Sequence, residues 1–131
     1  MTLIIGGAYQ GKLDYAMGQY PGAPVFQCDE NSAEFNFPAD ARIINAFHLL
    51  LLAQVRAGVD SAAYLNEHMD ALRDKVIICD DISCGIVPVS PETRQWREAA
   101  GRRLVRLSGE ADTVVRVFCG IASVIKTKSD S

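Results

Sequence analysis

The sequence predicts an α/β protein built on a mostly parallel sheet with helices on both faces, and three observations carry that prediction. Short apolar, β-branched runs alternate along the chain with helical patterns, the order that builds a parallel sheet from strand–helix units. The first run, Leu3-Ile4-Ile5, passes into a glycine-bearing turn and then into a helical pattern. That turn reads Gly6-Gly7-Ala8-Tyr9-Gln10-Gly11-Lys12-Leu13, with Gly6 and Gly11-Lys12 at the spacing of the phosphate-binding loop G-x-x-x-x-G-K-[ST]. In such sheets ligands bind beyond the carboxyl ends of the strands. Here that edge gathers residues 6–12, Asn45, Asp80, Asp81 and Gly120.

Each element follows from its local pattern. Residues 2–5 form a short apolar strand, and Lys12–Gln19 a helix with Leu13, Ala16 and Met17 on one face. Tyr20-Pro21-Gly22 stops that helix. Residues 24–28 read as a second strand, and residues 29–40 as a loop free to move. Residues 41–57 suit either one helix or a strand followed by a helix; a sheet around the first strand favours strand 41–45 and helix 47–57. Asp60 is the next helix cap, ahead of Ala63, Leu65, Met69 and Leu72 on a helix ending near Asp74. Residues 75–79 are the clearest strand and end in Asp80-Asp81. Ser90, Pro91 and Glu92 open a helix running to about Leu107, since Ser caps, Pro suits the first helical position and Glu suits the first turn. Residues 113–119 form a strand broken by Gly120, with a last short strand at 123–126.

Composition narrows the function classes. With 131 residues, 49% hydrophobic and 22% charged, the chain reads as a single globular domain with a substantial core. A net charge of −3 argues against a general nucleic-acid binder, which needs a basic surface. The apolar run 47–53 is too short to span a bilayer, and the first apolar stretch leads into glycines rather than a signal-peptide cleavage site, so the expected address is the cytoplasm. Cys28, Cys79, Cys84 and Cys119 lack the paired spacing of a zinc site. Cys28, Cys79 and Cys119 fall in or at the end of strands, where a thiol behaves as a small buried hydrophobe.

The glycine loop carries the chemistry. Its backbone N–H groups close around phosphate oxygens, the following helix presents its positive end, and Lys12 adds a point charge. The expected nucleotide-binding set is therefore Gly6, Gly7, Ala8, Tyr9, Gln10, Gly11, Lys12 and Leu13. Leu13 stands where a Ser or Thr would hold Mg²⁺, which weakens the metal more than the phosphate grip. The plainer alternative is a glycine turn that only joins strand to helix. Asp80 and Asp81 read as acids able to hold Mg²⁺ through water, with a solvated strand end as the alternative.

Two stretches extend the loop into a resemblance. Cys84-Gly85-Ile86-Val87-Pro88 is followed by Trp96-Arg97-Glu98-Ala99-Ala100-Gly101-Arg102, then by Ala111-Asp112 and a strand ending at Gly120. With the N-terminal loop, this resembles the adenosylcobinamide kinase/adenosylcobinamide-phosphate guanylyltransferase family over about residues 1–28 and 75–126. The resemblance implies a RecA-like P-loop core, a trimer, and work on the nucleotide loop of cobalamin. That work is phosphorylation of adenosylcobinamide, then GMP transfer from GTP through a histidine on a helix after the second strand. It implies Lys12 and Asp81 as catalytic residues, Asp81 and Asp80 as metal-facing, and GTP or ATP as ligand.

The departures are specific. Leu13 replaces the family serine, Asn45 stands where an acid is expected, Leu104-Val105 replace Asn-Gln, and residues 29–40 carry no histidine. His48 and His68, the only histidines, lie in an apolar run and an ordinary amphipathic helix, which favours structural or surface roles over guanylyl transfer. Arg97 and Arg102 match family positions, facing phosphate or a neighbouring subunit; Arg94, Arg103 and Arg106 read as a solvated cationic face. The leading expectation is a shortened, divergent family member binding a purine nucleotide, with phosphoryl or nucleotidyl transfer as any catalysis. A non-catalytic binding or assembly subunit is the alternative, and another small P-loop kinase a further one.

Overall fold

The computed structural model describes residues 1–34, 38–82 and 90–128. In chain order the elements are β1 (Thr2–Gly6), α1 (Lys12–Gln19), β2 (Val25–Gln27), β3 (Ile43–Asn45), α2 (Phe47–Ala57), α3 (Ser61–Leu72), β4 (Val76–Asp80), α4 (Pro91–Glu110), β5 (Thr113–Phe118) and β6 (Ile121–Thr127). They form one six-stranded sheet in the order β2-β3-β4-β1-β5-β6. The first five strands run parallel, and only β6 runs antiparallel, against β5. From β1 the chain crosses to the β2 edge, returns inward through β3 and β4 to lie beside β1, and then adds β5 on the other flank. The loop after β1 therefore opens at the middle of the sheet.

The central strands are buried on both faces, as strands between helical layers must be. On one face Leu3, Ile44, Ile77, Cys79 and Val114 pack against Phe47, Leu50 and Leu51 of α2, Leu65, Met69 and Leu72 of α3, and Ala100 and Leu107 of α4. On the other, Ile4, Ile43, Val76, Ile78, Val115 and Val117 meet Ala16 of α1, with Leu13, Tyr15 and Tyr20 around it. Burying each of these large aliphatic side chains contributes about 1.5–3 kcal/mol. Helices cover both faces, but unequally: three lie on one and the short α1 on the other.

Local signals set the boundaries. The Asp60 carboxylate accepts from the N–H groups of Ala62 and Ala63 at 3.0 and 3.3 Å, capping α3. The Ser90 hydroxyl accepts from the Thr93 N–H at 3.1 Å, capping α4. Residues 41–57 resolve as strand then helix, joined at Ala46 in the left-handed region (φ 59°). Gly58, also left-handed, ends α2.

Two expectations are corrected. Met17 is 51% exposed, because α1 is too short to turn a second row of side chains onto the sheet. Cys119 is exposed rather than buried, because it lies past the end of β5 in a two-residue hairpin with Gly120, both at positive φ (50° and 77°). Cys28 and Cys79 are buried as expected, and burial pushes the Cys28 thiol up to about 12 and the Cys79 thiol upward too. The hairpin extends β6 beyond the short strand expected at 123–126. Its residues alternate little between buried and exposed, since β6 is an edge strand.

The free amino group of Met1 donates to Asp112 Oδ2 at 3.0 Å, anchoring the start of β1 next to β5. No helix among the described residues is long and apolar enough to cross a membrane. The Gly85-Ile86-Val87-Pro88 turn lies outside the described residues, as does Cys84.

Candidate functional site

The loop after β1 is shaped by positions that a side chain would disturb. Gly6 has φ 155°, and a Cβ there would stand 2.4 Å from the backbone oxygen of Val117. Tyr9 sits in the left-handed region at φ 59° with its ring fully exposed. Gly11, at φ 90°, precedes α1 and brings no side-chain acceptor to it, so the first N–H groups of the helix remain open to a ligand. The β5–β6 turn braces the loop from outside. The Gly120 N–H donates to the Gln10 carbonyl at 2.9 Å, and the Cys119 N–H to Gln10 Oε1 at 2.6 Å.

Lys12 begins α1 and is only 6% exposed. Its ammonium donates to the Gly7 carbonyl and pairs with Asp80 Oδ1 at 2.7 Å. Asp80 ends β4, whose register with β1 sets Gly6 opposite Asp80, so the acid arrives beside the loop.

His48, in the first turn of α2, completes the cluster. The Asp80 backbone N–H donates to His48 Nδ1 at 3.1 Å, so that nitrogen is the acceptor and Nε2 carries the proton. Nε2 faces Asp80 Oδ2 at 3.4 Å. The Trp96 indole N–H donates to the His48 carbonyl at 2.8 Å, and the two rings stack 6.4 Å apart. Burial holds the His48 pKa below its usual value; the Asp80 charge opposes that shift and the Lys12 charge reinforces it. The imidazole is neutral at physiological pH.

A cleft of about 740 Å³ opens over these groups, lined by Tyr9, Gln10, Lys12, Asn45, His48 and Asp80 among others. That lies within the usual range for a small-molecule site. Asn45, at the end of β3, donates from Nδ2 to Gln27 Oε1 at 2.7 Å. The sheet edge thus brings together the loop, Asn45, Asp80 and the Gly120 turn.

Asp81 is placed differently. Its N–H donates to the Gly6 carbonyl at 2.8 Å, and it lines a second cleft of about 430 Å³ between Gly6, Gly7 and Gln10 of the loop and Arg116, Phe118 and Ile125. It is Asp80 that meets Lys12. Leu13 is half-buried against the α1-side core and brings no oxygen. Among the described residues no three of His, Cys, Asp and Glu cluster as a metal would need. His48 is the residue that sequence reasoning missed. Its one signal is position: it falls three residues after Asn45, at the start of a helix that opens on the ligand-binding edge. His68 lies elsewhere, its Nδ1 bonded to the Tyr64 carbonyl at 2.8 Å and its ring stacked on Tyr64.

The arginines of α4 are structural in part. Arg103 Nη1 donates to Ser61 Oγ at 3.0 Å and Arg106 Nη1 to Asn66 Oδ1 at 2.6 Å, tying α4 to α3. Arg102 lines a third cleft with residues of the α2–α3 turn, apart from the loop.

A family model described as cobinamide kinase / cobinamide phosphate guanyltransferase matches residues 40–125, well over half of the chain. The match takes in Asn45, His48 and Asp80 and begins after the glycine loop. No curated protein matches the chain.

Proposed function

This chain belongs to the cobinamide kinase/cobinamide phosphate guanyltransferase family, and from that premise we propose that it is a divergent member that binds a purine nucleotide, GTP or ATP, at the glycine loop. Membership ties it to cobalamin biosynthesis. The observation that carries the reading is Lys12, buried at the start of α1 and directed over the loop into the cleft. An ammonium desolvated in that position is useful chiefly to an anion. Loop N–H groups and the open end of α1 would hold the β- and γ-phosphates beside it. The family description makes cobinamide the acceptor to test, and any catalysis would be phosphoryl or nucleotidyl transfer in the cytoplasm.

A second reading, a non-catalytic binding or assembly subunit, is favoured by Leu13 and Asn45. Both stand where oxygen ligands or acids would serve transfer chemistry. A homo-oligomer, a trimer on the family resemblance, suits either reading. The exposed apolar side chains of Phe118, Ile121, Val124 and Ile125 along the β5–β6 edge support it.

Titration with GTP and ATP, followed by an assay for label transfer from either nucleotide to cobinamide, tests the proposal. Cobinamide-dependent turnover supports a transferase. Binding without turnover moves the reading to the subunit. Turnover that ignores cobinamide points to another small P-loop kinase, and no nucleotide binding defeats the proposal.

A further inference from the structure

We propose that this site binds nucleotide phosphate without a divalent metal ion, and that Asp80 is a built-in anion which the phosphate must displace from Lys12. The inference rests on the nucleotide-binding reading above and adds how that site is regulated.

The donor set does not fit Mg²⁺. That ion demands near-octahedral oxygen ligation and is usually held by one or two carboxylates together with the phosphates. Asp14, on the exposed side of α1, lines the cleft, and so do three positions at element ends where a metal ligand would be expected: the residue after Lys12, the end of β3 and the end of β4. The first is Leu13, a hydrocarbon packed toward the core. The second is Asn45, a neutral amide tied to Gln27. The third is Asp80, whose Oδ1 is 2.7 Å from the Lys12 ammonium and whose Oδ2 lies 3.4 Å from His48 Nε2. A cation recruiting Asp80 would have to take Oδ1 from the Lys12 ammonium and displace the His48 ring that lies near Oδ2. It would also sit beside the Lys12 charge, and the one other carboxylate lining the cleft among the described residues, Asp14, is exposed on α1. Asp81 lines a second cleft, which shares Gly6, Gly7 and Gln10 with the loop but does not include Lys12.

The same geometry suits exchange of one anion for another. Lys12 is nearly fully buried, so its charge needs a partner at all times, and Asp80 supplies one when the loop is empty. A phosphate entering the loop competes with that carboxylate for a single ammonium. His48 gives Asp80 somewhere to go. The backbone N–H of Asp80 donates to Nδ1, and Nε2 lies 3.4 Å from the carboxylate. A small rotation of the Asp80 side chain therefore releases Lys12 without leaving the acid unpartnered. In the bound state the phosphate charge is met by Lys12, the loop N–H groups and the start of α1, with no metal.

Calorimetric titration of the full chain with GTP, in excess MgCl₂ and separately in excess EDTA, tests both halves, with Asp80→Asn measured alongside. The expected result is one affinity in both solutions. Asp80→Asn should tighten GTP binding by about tenfold in both, the scale of one charge-assisted contact removed from competition. Loss of wild-type binding in EDTA, or weaker binding of a folded Asp80→Asn in MgCl₂, would overturn the inference and leave nucleotide binding standing. Absence of GTP binding by wild type and variant in both solutions would defeat the nucleotide reading and this inference with it. If Asp80→Asn fails to fold, the wild-type comparison between MgCl₂ and EDTA still decides the metal question.

Discussion

Asp80 meets Lys12 at 2.7 Å, so the lysine of the glycine loop is already engaged by an acid from the neighbouring strand. The pairing follows from sheet register. β4 lies beside β1 with Asp80 opposite Gly6, and the side chain reaches over the loop to the first residue of α1. A one-residue slip would send the acid to the other face of the sheet.

His48 makes stability depend on pH. Burial lowers its folded pKa below the ordinary 6.5, so between the two values the unfolded chain binds a proton that the folded chain refuses. The contribution is absent above the unfolded value and becomes destabilising as the pH falls below it. Melting temperature should drop on acidification through that window, and His48→Gln should drop less. Parallel melting curves for wild type and variant would show that His48 carries no such linkage.

No guanylyl-histidine should form. A nucleophilic imidazole needs a free lone pair aimed at the α-phosphate. The Nδ1 lone pair of His48 accepts the Asp80 N–H, and Nε2 carries the proton, while His68, on α3, does not line the cleft over the loop. Incubation with α-labelled GTP, denaturation and peptide mapping should find neither histidine modified. An acid-labile, base-stable label on either one would refute this.

Leu13→Ser separates packing from metal chemistry. The side chain is half-buried, so its loss should cost about 1–2 kcal/mol, below the range for a fully buried leucine. The new hydroxyl stands at the position that normally holds Mg²⁺, and GTP affinity should acquire a Mg²⁺-dependent component. Melting temperature and affinity with and without Mg²⁺, measured on one sample, read both effects. A folded variant that still binds GTP but shows no such component would mean that one hydroxyl does not restore the metal site.

Gly6→Ala should damage the loop and the sheet together. Its Cβ would stand 2.4 Å from the Val117 oxygen, and a backbone atom of β5 cannot step aside. A loss of about 1–3 kcal/mol, the usual cost of overpacking, is expected in denaturant melts. A variant of unchanged midpoint would show that β1 and β5 are less tightly fixed than described.

Much of this was legible in the sequence because the signals are local. The glycine loop between Ile5 and Leu13, the Asp60 and Ser90 caps and the split of residues 41–57 all rest on neighbours along the chain. The acid that reaches Lys12 was not legible. Asp80 and Asp81 are adjacent in sequence, and only the register of β4 on β1 sends one to Lys12 and the other to the cleft between the loop and Arg116. His48 was hidden by its apolar neighbours, since Phe47, Leu50 and Leu51 serve the core while the helix start faces the cleft. The length of β6 was obscured by an edge strand that buries little.

The account stands on the claim that the glycine loop binds nucleotide phosphate through Lys12. Calorimetric titration of wild type and Lys12→Ala with GTP and ATP, each protein checked for an intact melt, tests it most directly. The account predicts that wild type binds and that Lys12→Ala binds more weakly by about 1.5–3 kcal/mol, the worth of a hydrogen bond to a charged group. Equal affinities in wild type and a folded Lys12→Ala would contradict it.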